Sequence, residues 1–204
     1  MATEGDGTWS NYIAGRNSYE EPRFAYGGDL MCALDLSDRF SVEGGIGHAL
    51  MGYQLNMEAL TFGDMIDPNR GFIYQTNDVS FRAIRYSFHY LELPVRLVLH
   101  CGKGRLRSIT GAGLTTGYLL KSTSTLVTEN ADGSTDRDTN ESGNDHNAIG
   151  LFPTFSTGAS YALNDRLELR MEPQARYGVS RLFDAPVTAH WWSVGVGISA
   201  MWRL

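Results

Sequence analysis

Residues 167–177 alternate apolar and polar side chains without interruption. One side of this run carries Leu167, Leu169 and Met171, whereas the other side carries charged residues such as Glu168 and Arg170. An ordinary strand has about 5–6 residues, but a tilted strand that crosses a bilayer needs about 9–11. The run therefore raises the question that decides the fold: whether its apolar side faces a protein core or lipid.

The composition favours one β-rich domain. The chain has 204 residues, with 23 Gly, 10 Tyr, 9 Phe and 4 Trp, and we expect residues 1–204 to form a single domain. A net charge of -6 argues against nucleic acid as a partner. No apolar run approaches the ~20 residues of a transmembrane helix. Residues 1–7 lack the features of a signal peptide. Either the protein is cytosolic, or a signal peptide or upstream domain is missing from this sequence, and we favour the second interpretation.

The alternation recurs along the whole chain and predicts seven long strands. An eighth strand, at residues 8–15, has the weakest pattern. Short and long links alternate along the chain. The short links are residues 36–40, 102–104 and 163–167, and the long links are residues 56–87, 123–148 and 181–188. Outer-membrane barrels have short periplasmic turns and long extracellular loops, and a soluble sandwich has no reason to sort its links in this way. The predicted strands are residues 24–36, 40–55, 88–101, 105–122, 149–163, 167–177 and 189–204.

The charged side of these strands predicts the interior of an eight-stranded antiparallel up-and-down transmembrane β-barrel. An interior of this size is just wide enough for side chains to fill it, so carboxylates and guanidinium groups can neutralise one another there. The expected lumen network consists of Glu43, Glu92, Arg96, Glu168, Arg170, Glu172 and Arg176. The expected interfacial aromatic girdles consist of Tyr26, Phe40, Tyr161, Tyr177, Trp192 and Trp202. The alternative, a soluble ligand-binding β-barrel, reverses the two faces.

Several short motifs resemble a known family in the order in which they occur there. Residues 90–95 read Tyr-Leu-Glu-Leu-Pro-Val, residues 111–114 read Gly-Ala-Gly-Leu, and residues 36–43 read Leu-Ser-Asp-Arg-Phe-Ser-Val-Glu. This set resembles the PorT-like outer-membrane β-barrel family common in Bacteroides-group bacteria. The resemblance implies a location in the bacterial outer membrane and a part in an envelope or secretion assembly. It implies no catalytic residue.

The residues themselves give little support for an enzyme. His48 and His190 lie on the apolar side of their strands, where a lipid-modifying barrel enzyme could use a general base. An interfacial histidine is the alternative interpretation. The sequence has neither a Gly-x-Ser-x-Gly elbow nor a His-Glu-x-x-His motif. Asp136, Asp138 and Asn140 have oxygen ligands that suit calcium, but we expect a solvated, mobile loop here. We therefore expect no catalytic residue, metal or cofactor.

The expected partners follow from the predicted location. The apolar side of the strands would contact the lipid bilayer and lipopolysaccharide. The link at residues 56–87 is richer in apolar side chains than the other long links, which makes it the candidate surface for other envelope proteins. We interpret this link mainly as an extension of the strands above the membrane. The sequence thus predicts a non-enzymatic membrane anchor or structural subunit, with a lipid-modifying enzyme as the main alternative.

Overall fold

The computed structural model describes residues 2–4, 19–57, 65–66, 73–74, 79–130, 133–141, 147–164, 166–180 and 188–202. Its elements are antiparallel β-strands, as the sequence predicts. The strands are β1 (Ala2–Glu4), β2 (Glu20–Pro22), β3 (Tyr26–Asp35), β4 (Phe40–Met57), β5 (Met65–Ile66), β6 (Ile73–Tyr74), β7 (Val79–Cys101), β8 (Leu106–Asn130), β9 (Thr135–Glu141), β10 (Ile149–Ala162), β11 (Leu167–Tyr177), β12 (Thr188–His190) and β13 (Trp192–Trp202). No helix in these ranges is long and apolar enough to cross a membrane.

The long strands pair in the order in which they occur in the chain. The main sheet runs β3–β4–β7–β8–β10–β11–β13, and every pair is antiparallel. β2 pairs with the same edge of β4 as β3 does, and β9 folds back onto β8. The two short pairs β1–β12 and β5–β6 are separate from this sheet. The strand predicted at residues 8–15 lies outside the described residues, so the count of eight strands stays a prediction.

The three short links lie together at one end of the sheet, which we call the turn end. In the first, the Ser37 hydroxyl accepts hydrogen bonds from the backbone N–H groups of Arg39 and Phe40. In the third, the Asn164 side chain accepts in the same way from Arg166 and Leu167. Such bonds replace the missing strand partners in a tight turn. The second link instead uses glycines, and Gly102 has a φ of 104°.

At the opposite end, the loop end, the strands run further than predicted. β4 continues to Met57 and β7 already begins at Val79, which confirms the strand-extension interpretation for residues 79–87. The prediction of a long link at residues 123–148, with a mobile loop at residues 132–145, is wrong for residues 123–129 and 135–141, and residues 142–146 lie outside the described residues. Backbone pairing between residues 123–129 and 135–141 forms a hairpin there instead. The threonine-rich sequence of this part of β8 suits a strand. The three residues considered as calcium ligands, Asp136, Asp138 and Asn140, fall within β9.

The sheet curls so that its charged side is concave. Glu43 on β4 and Arg170 on β11 form a hydrogen bond although three strands separate them in the sheet. Small residues on the concave side make this possible: a Cβ added to Gly111 would lie 2.8 Å from the Ser156 hydroxyl oxygen. Towards the loop end, the concave side holds a buried cluster of Ala49, Met51, Tyr53, Phe88, Tyr90, Phe152 and Trp191. The interior is therefore filled by side chains.

Candidate functional site: the charged interior and the apolar belt

Glu43 is the centre of the charged interior. Its side chain is fully buried, and each of its two carboxylate oxygens accepts a hydrogen bond from a different arginine. Arg96 donates from the neighbouring strand β7 at 2.7 Å, and Arg170 donates from β11 on the far side of the interior. The same Arg170 also donates to Glu168 at 2.8 Å. The Glu43 carboxylate thus connects β4 and β7 to β11 on the opposite side of the curled sheet.

Arg96 extends this cluster to a second carboxylate. Its two terminal nitrogens donate to the two oxygens of Glu172, at 3.0 and 3.1 Å. This bidentate geometry is the strongest arrangement for a guanidinium and a carboxylate. The hydroxyl of Ser156 donates to the same Glu172 at 2.8 Å. We call Glu168, Arg170, Glu43, Arg96 and Glu172 the ion cluster. Because each of its three carboxylates accepts at least one hydrogen bond from an arginine, the cluster satisfies charges that would be costly to bury alone.

The remaining two charged residues form a separate pair nearer the loop end. Arg176 on β11 donates to Glu92 on β7. The guanidinium of Arg176 also lies over the ring of Phe152, 5.3 Å from its centroid, and Tyr90 meets that ring edge-on. The pair therefore contacts the aromatic cluster towards the loop end. The structure brings all seven of the proposed lumen residues to the concave side.

The convex side carries a belt of exposed apolar side chains. Members from the middle of the strands include Leu30, Ile46, Leu93, Val95, Leu97, Leu114, Phe155, Met171, Val196 and Ile198. The six proposed girdle aromatics are exposed on this side as well. Phe40, Tyr161 and Trp202 lie at the turn end, whereas Tyr26, Tyr177 and Trp192 lie towards the loop end. An apolar exterior around a charged interior is the reverse of a soluble barrel and matches a barrel in lipid.

The comparison with known families agrees with this geometry. A family model described as an outer membrane protein beta-barrel domain matches residues 8–185. The chain belongs to this family. This outer-membrane barrel protein is therefore located in the bacterial outer membrane, and its belt faces lipid. No curated protein matches the chain significantly.

The two histidines considered for catalysis lie on the lipid-facing side of the outer-membrane barrel, near the loop end. His190 Nδ1 contacts the backbone carbonyl of Gly178 at 3.0 Å, and its ring stacks on Tyr177. His48 Nε2 faces Nδ1 of a second histidine, His89, at 3.2 Å. In the described ranges, no three His, Cys, Asp or Glu side chains are close enough to hold a metal ion.

Several interior contacts of the outer-membrane barrel were not predicted from the sequence. Ser156 was not predicted as a partner of Glu172, and the Ser41 hydroxyl lies 3.0 Å from His100 Nε2 near the turn end. The aromatic cluster around Trp191 was also missed. Its members share the polar side of their strands, so an aromatic residue on an otherwise polar side is the signal that could have found them. A cavity of about 240 Å³ at the turn end is lined by residues including Arg105, Arg107, Arg166 and Glu168.

Proposed function

We propose that this outer-membrane barrel has a non-enzymatic anchoring or structural role, and that it serves an envelope or secretion assembly as PorT-like proteins do. The observation that carries the proposal is the filled interior. Ion pairs join β4, β7 and β11 across the lumen, and buried aromatic side chains follow towards the loop end. A solute would have to break these contacts to pass through the barrel. The filled interior therefore favours a structural role over a transport role.

The strand extension favours a role in contacts with other proteins. We define it as residues 79–87 of β7, residues 123–130 of β8, and β9. β7 has 23 residues and β8 has 25, whereas crossing the bilayer takes about 9–11. The outer part of each strand therefore projects beyond the lipid. The Thr125 and Thr139 hydroxyls bond across the hairpin at 3.0 Å. Backbone pairing fixes the projecting strands before a partner binds, which lowers the entropy cost of binding compared with an unpaired loop.

Two measurements test the proposal. A photo-crosslinking amino acid placed at Asp138, which is exposed on the extension, should capture a second envelope protein in living cells. The matched control is the same amino acid at Val95, which is exposed on the apolar belt and should capture none. In planar bilayers, the purified barrel should give no stable unitary conductance. Stepwise channel openings would overturn the structural role, and so would a lipid A modification that disappears in His190→Ala, because that result establishes the enzyme alternative.

A further inference from the structure

Five basic side chains gather on the convex side of β4, β7 and β8 and of the segment before β3. We call them the outward basic patch: Arg23, His48, Arg85, His89 and Lys121. They lie on the same side of the sheet as the apolar belt, not in the interior. Nothing in the anchoring role requires them, and charge on a lipid-facing side is normally avoided. Their position relative to the membrane therefore decides what they can do.

The lower half of the patch is a pair of histidines beside a lysine. His48 and His89 meet at 3.2 Å through one nitrogen each, which leaves the other nitrogen of each ring for a further partner. Lys121 is the register partner of His89, at a β-bulge between β7 and β8. Its ammonium binds Glu141 at 2.7 Å, and this hydrogen bond lowers the pKa of the Glu141 carboxyl below its ordinary value. An ammonium has three donors, and Glu141 is the one described side chain that binds the Lys121 ammonium.

The upper half of the patch contains two arginines. Arg23 donates to the Ser87 hydroxyl at 3.0 Å and lies over Gly52 on the convex side. Arg85 donates to the side chain of Gln54 at 2.8 Å. Within the described part of the chain, neither guanidinium forms an ion pair. Two carboxylates lie on the same outward side near the patch: Glu141 at Lys121, and Glu21, the register partner of Gln54. The three cations Arg23, Arg85 and Lys121 outnumber them.

The patch begins where the apolar belt ends. On β7 the outward residues are apolar from Leu99 to Leu91, and the next outward residue is His89. At about 3.3 Å per residue and a tilt of 35–45°, this stretch is about 20 Å tall, close to the thickness of the apolar band of outer-membrane barrels. His89 and the residues above it therefore lie at the level of the lipid headgroups on the loop side.

Within the described residues, the outward basic side chains are concentrated on adjacent strands. The outward residues at the loop end of β10, β11 and β13 are Ile149, Tyr177 and Trp192, which are uncharged, and His190 on β12 is the single described basic side chain beside them. A general requirement for solubility at the membrane surface would distribute basic residues around the whole rim. Their concentration on adjacent strands instead indicates a localised anionic partner.

We propose that the outward basic patch binds the phosphate group of a glycolipid in the outer leaflet, of the lipid A type. The apolar belt below the patch contacts the acyl chains, while the imidazole, ammonium and guanidinium groups donate to the phosphate oxygens. The inference requires the outer-membrane location and goes beyond the anchoring role. A site of this kind would hold the barrel in a lipid environment of defined composition.

Native mass spectrometry of the detergent-solubilised full chain tests the site. Four probes are compared: phosphorylated lipid A, fully dephosphorylated lipid A, phosphatidylglycerol and inorganic phosphate. Phosphorylated lipid A should bind at least about tenfold more tightly than its dephosphorylated form, because its phosphate oxygens accept charge-assisted hydrogen bonds that the dephosphorylated lipid cannot form. Lys121→Gln and the double variant His48→Gln/His89→Gln should each remove most of this preference. Lys103→Gln, at the turn end, is the matched control and should retain it.

Three outcomes would overturn the inference. One is equal binding of the phosphorylated and dephosphorylated lipids, and another is equal loss in Lys103→Gln and Lys121→Gln. The third is saturation of the patch by inorganic phosphate or phosphatidylglycerol as readily as by lipid A, which would indicate a non-selective anion site. A folded barrel that fails these lipid tests would still leave the anchoring role intact. Channel openings or a His190-dependent lipid modification would instead overturn the anchoring role and not this site.

Discussion

Glu43 and Arg170 are the two central members of the ion cluster. Replacing them one at a time should destabilise the barrel to different extents. The interior holds four Glu and three Arg from the predicted network, a formal charge of -1. Glu43→Gln brings this charge to zero but takes a carboxylate from two arginines, of which Arg96 keeps Glu172 and Arg170 keeps Glu168. Arg170→Gln instead takes the sum to -2 and leaves Glu43 and Glu168 with fewer donors.

Breaking a buried ion pair by removing one partner costs about 3–5 kcal/mol. Both side chains are almost completely buried, so the full range applies. We expect Glu43→Gln at the lower end, about 3 kcal/mol, and Arg170→Gln at the upper end, about 5 kcal/mol. The double variant should cost less than the sum by about 0.5–3 kcal/mol, because the two residues contact each other. The reduced cost measures their coupling.

Urea unfolding of the barrel in phospholipid vesicles, followed by tryptophan fluorescence, gives these free energies. Glu141→Gln is the control, because it breaks an exposed ion pair to Lys121 and should leave the urea midpoint unchanged. A urea midpoint of Glu43→Gln equal to that of this control would show that the buried ion pairs contribute nothing to stability. A larger cost for Glu43→Gln than for Arg170→Gln, or a double variant whose cost equals the sum, would contradict the contacts assigned to Glu43.

Three further predictions concern the belt and the packing of the interior. Leu97→Arg, on the belt, should cost about 2–4 kcal/mol, whereas Thr125→Arg on the extension should cost little; equal urea midpoints would refute the position of the belt. Gly111→Val should cost about 1–3 kcal/mol through overpacking, and Gly195→Val, where an added Cβ meets nothing within 4 Å, should not; calorimetry compares the two. The Cys32 thiol, outward on β3, should react with a water-soluble maleimide only after unfolding, and rapid labelling in intact vesicles would contradict its contact with lipid.

The sequence alone determined which side of each strand is which. Alternation has a period of two residues because successive side chains point to opposite faces of a strand, so this property is local. The turns were equally local: Ser37 and Asn164 satisfy their own backbone within three residues. Exposure of the apolar belt and the concave position of the seven charged residues follow from this alternation once the order of the links has indicated which side faces outward.

Only the tertiary structure decided which side chains meet. Glu43 and Arg170 are 127 residues apart, and their contact depends on the register of four successive strand pairs and on the curl of the sheet. The hairpin of β8 and β9 escaped prediction because polar, threonine-rich strands in water lack the apolar alternation that marks strands in lipid. The outward basic patch escaped it because a bulge and strand pairing, not spacing in the sequence, bring Lys121 beside His89. Local geometry sets the face of a residue, whereas register and curvature set its neighbours.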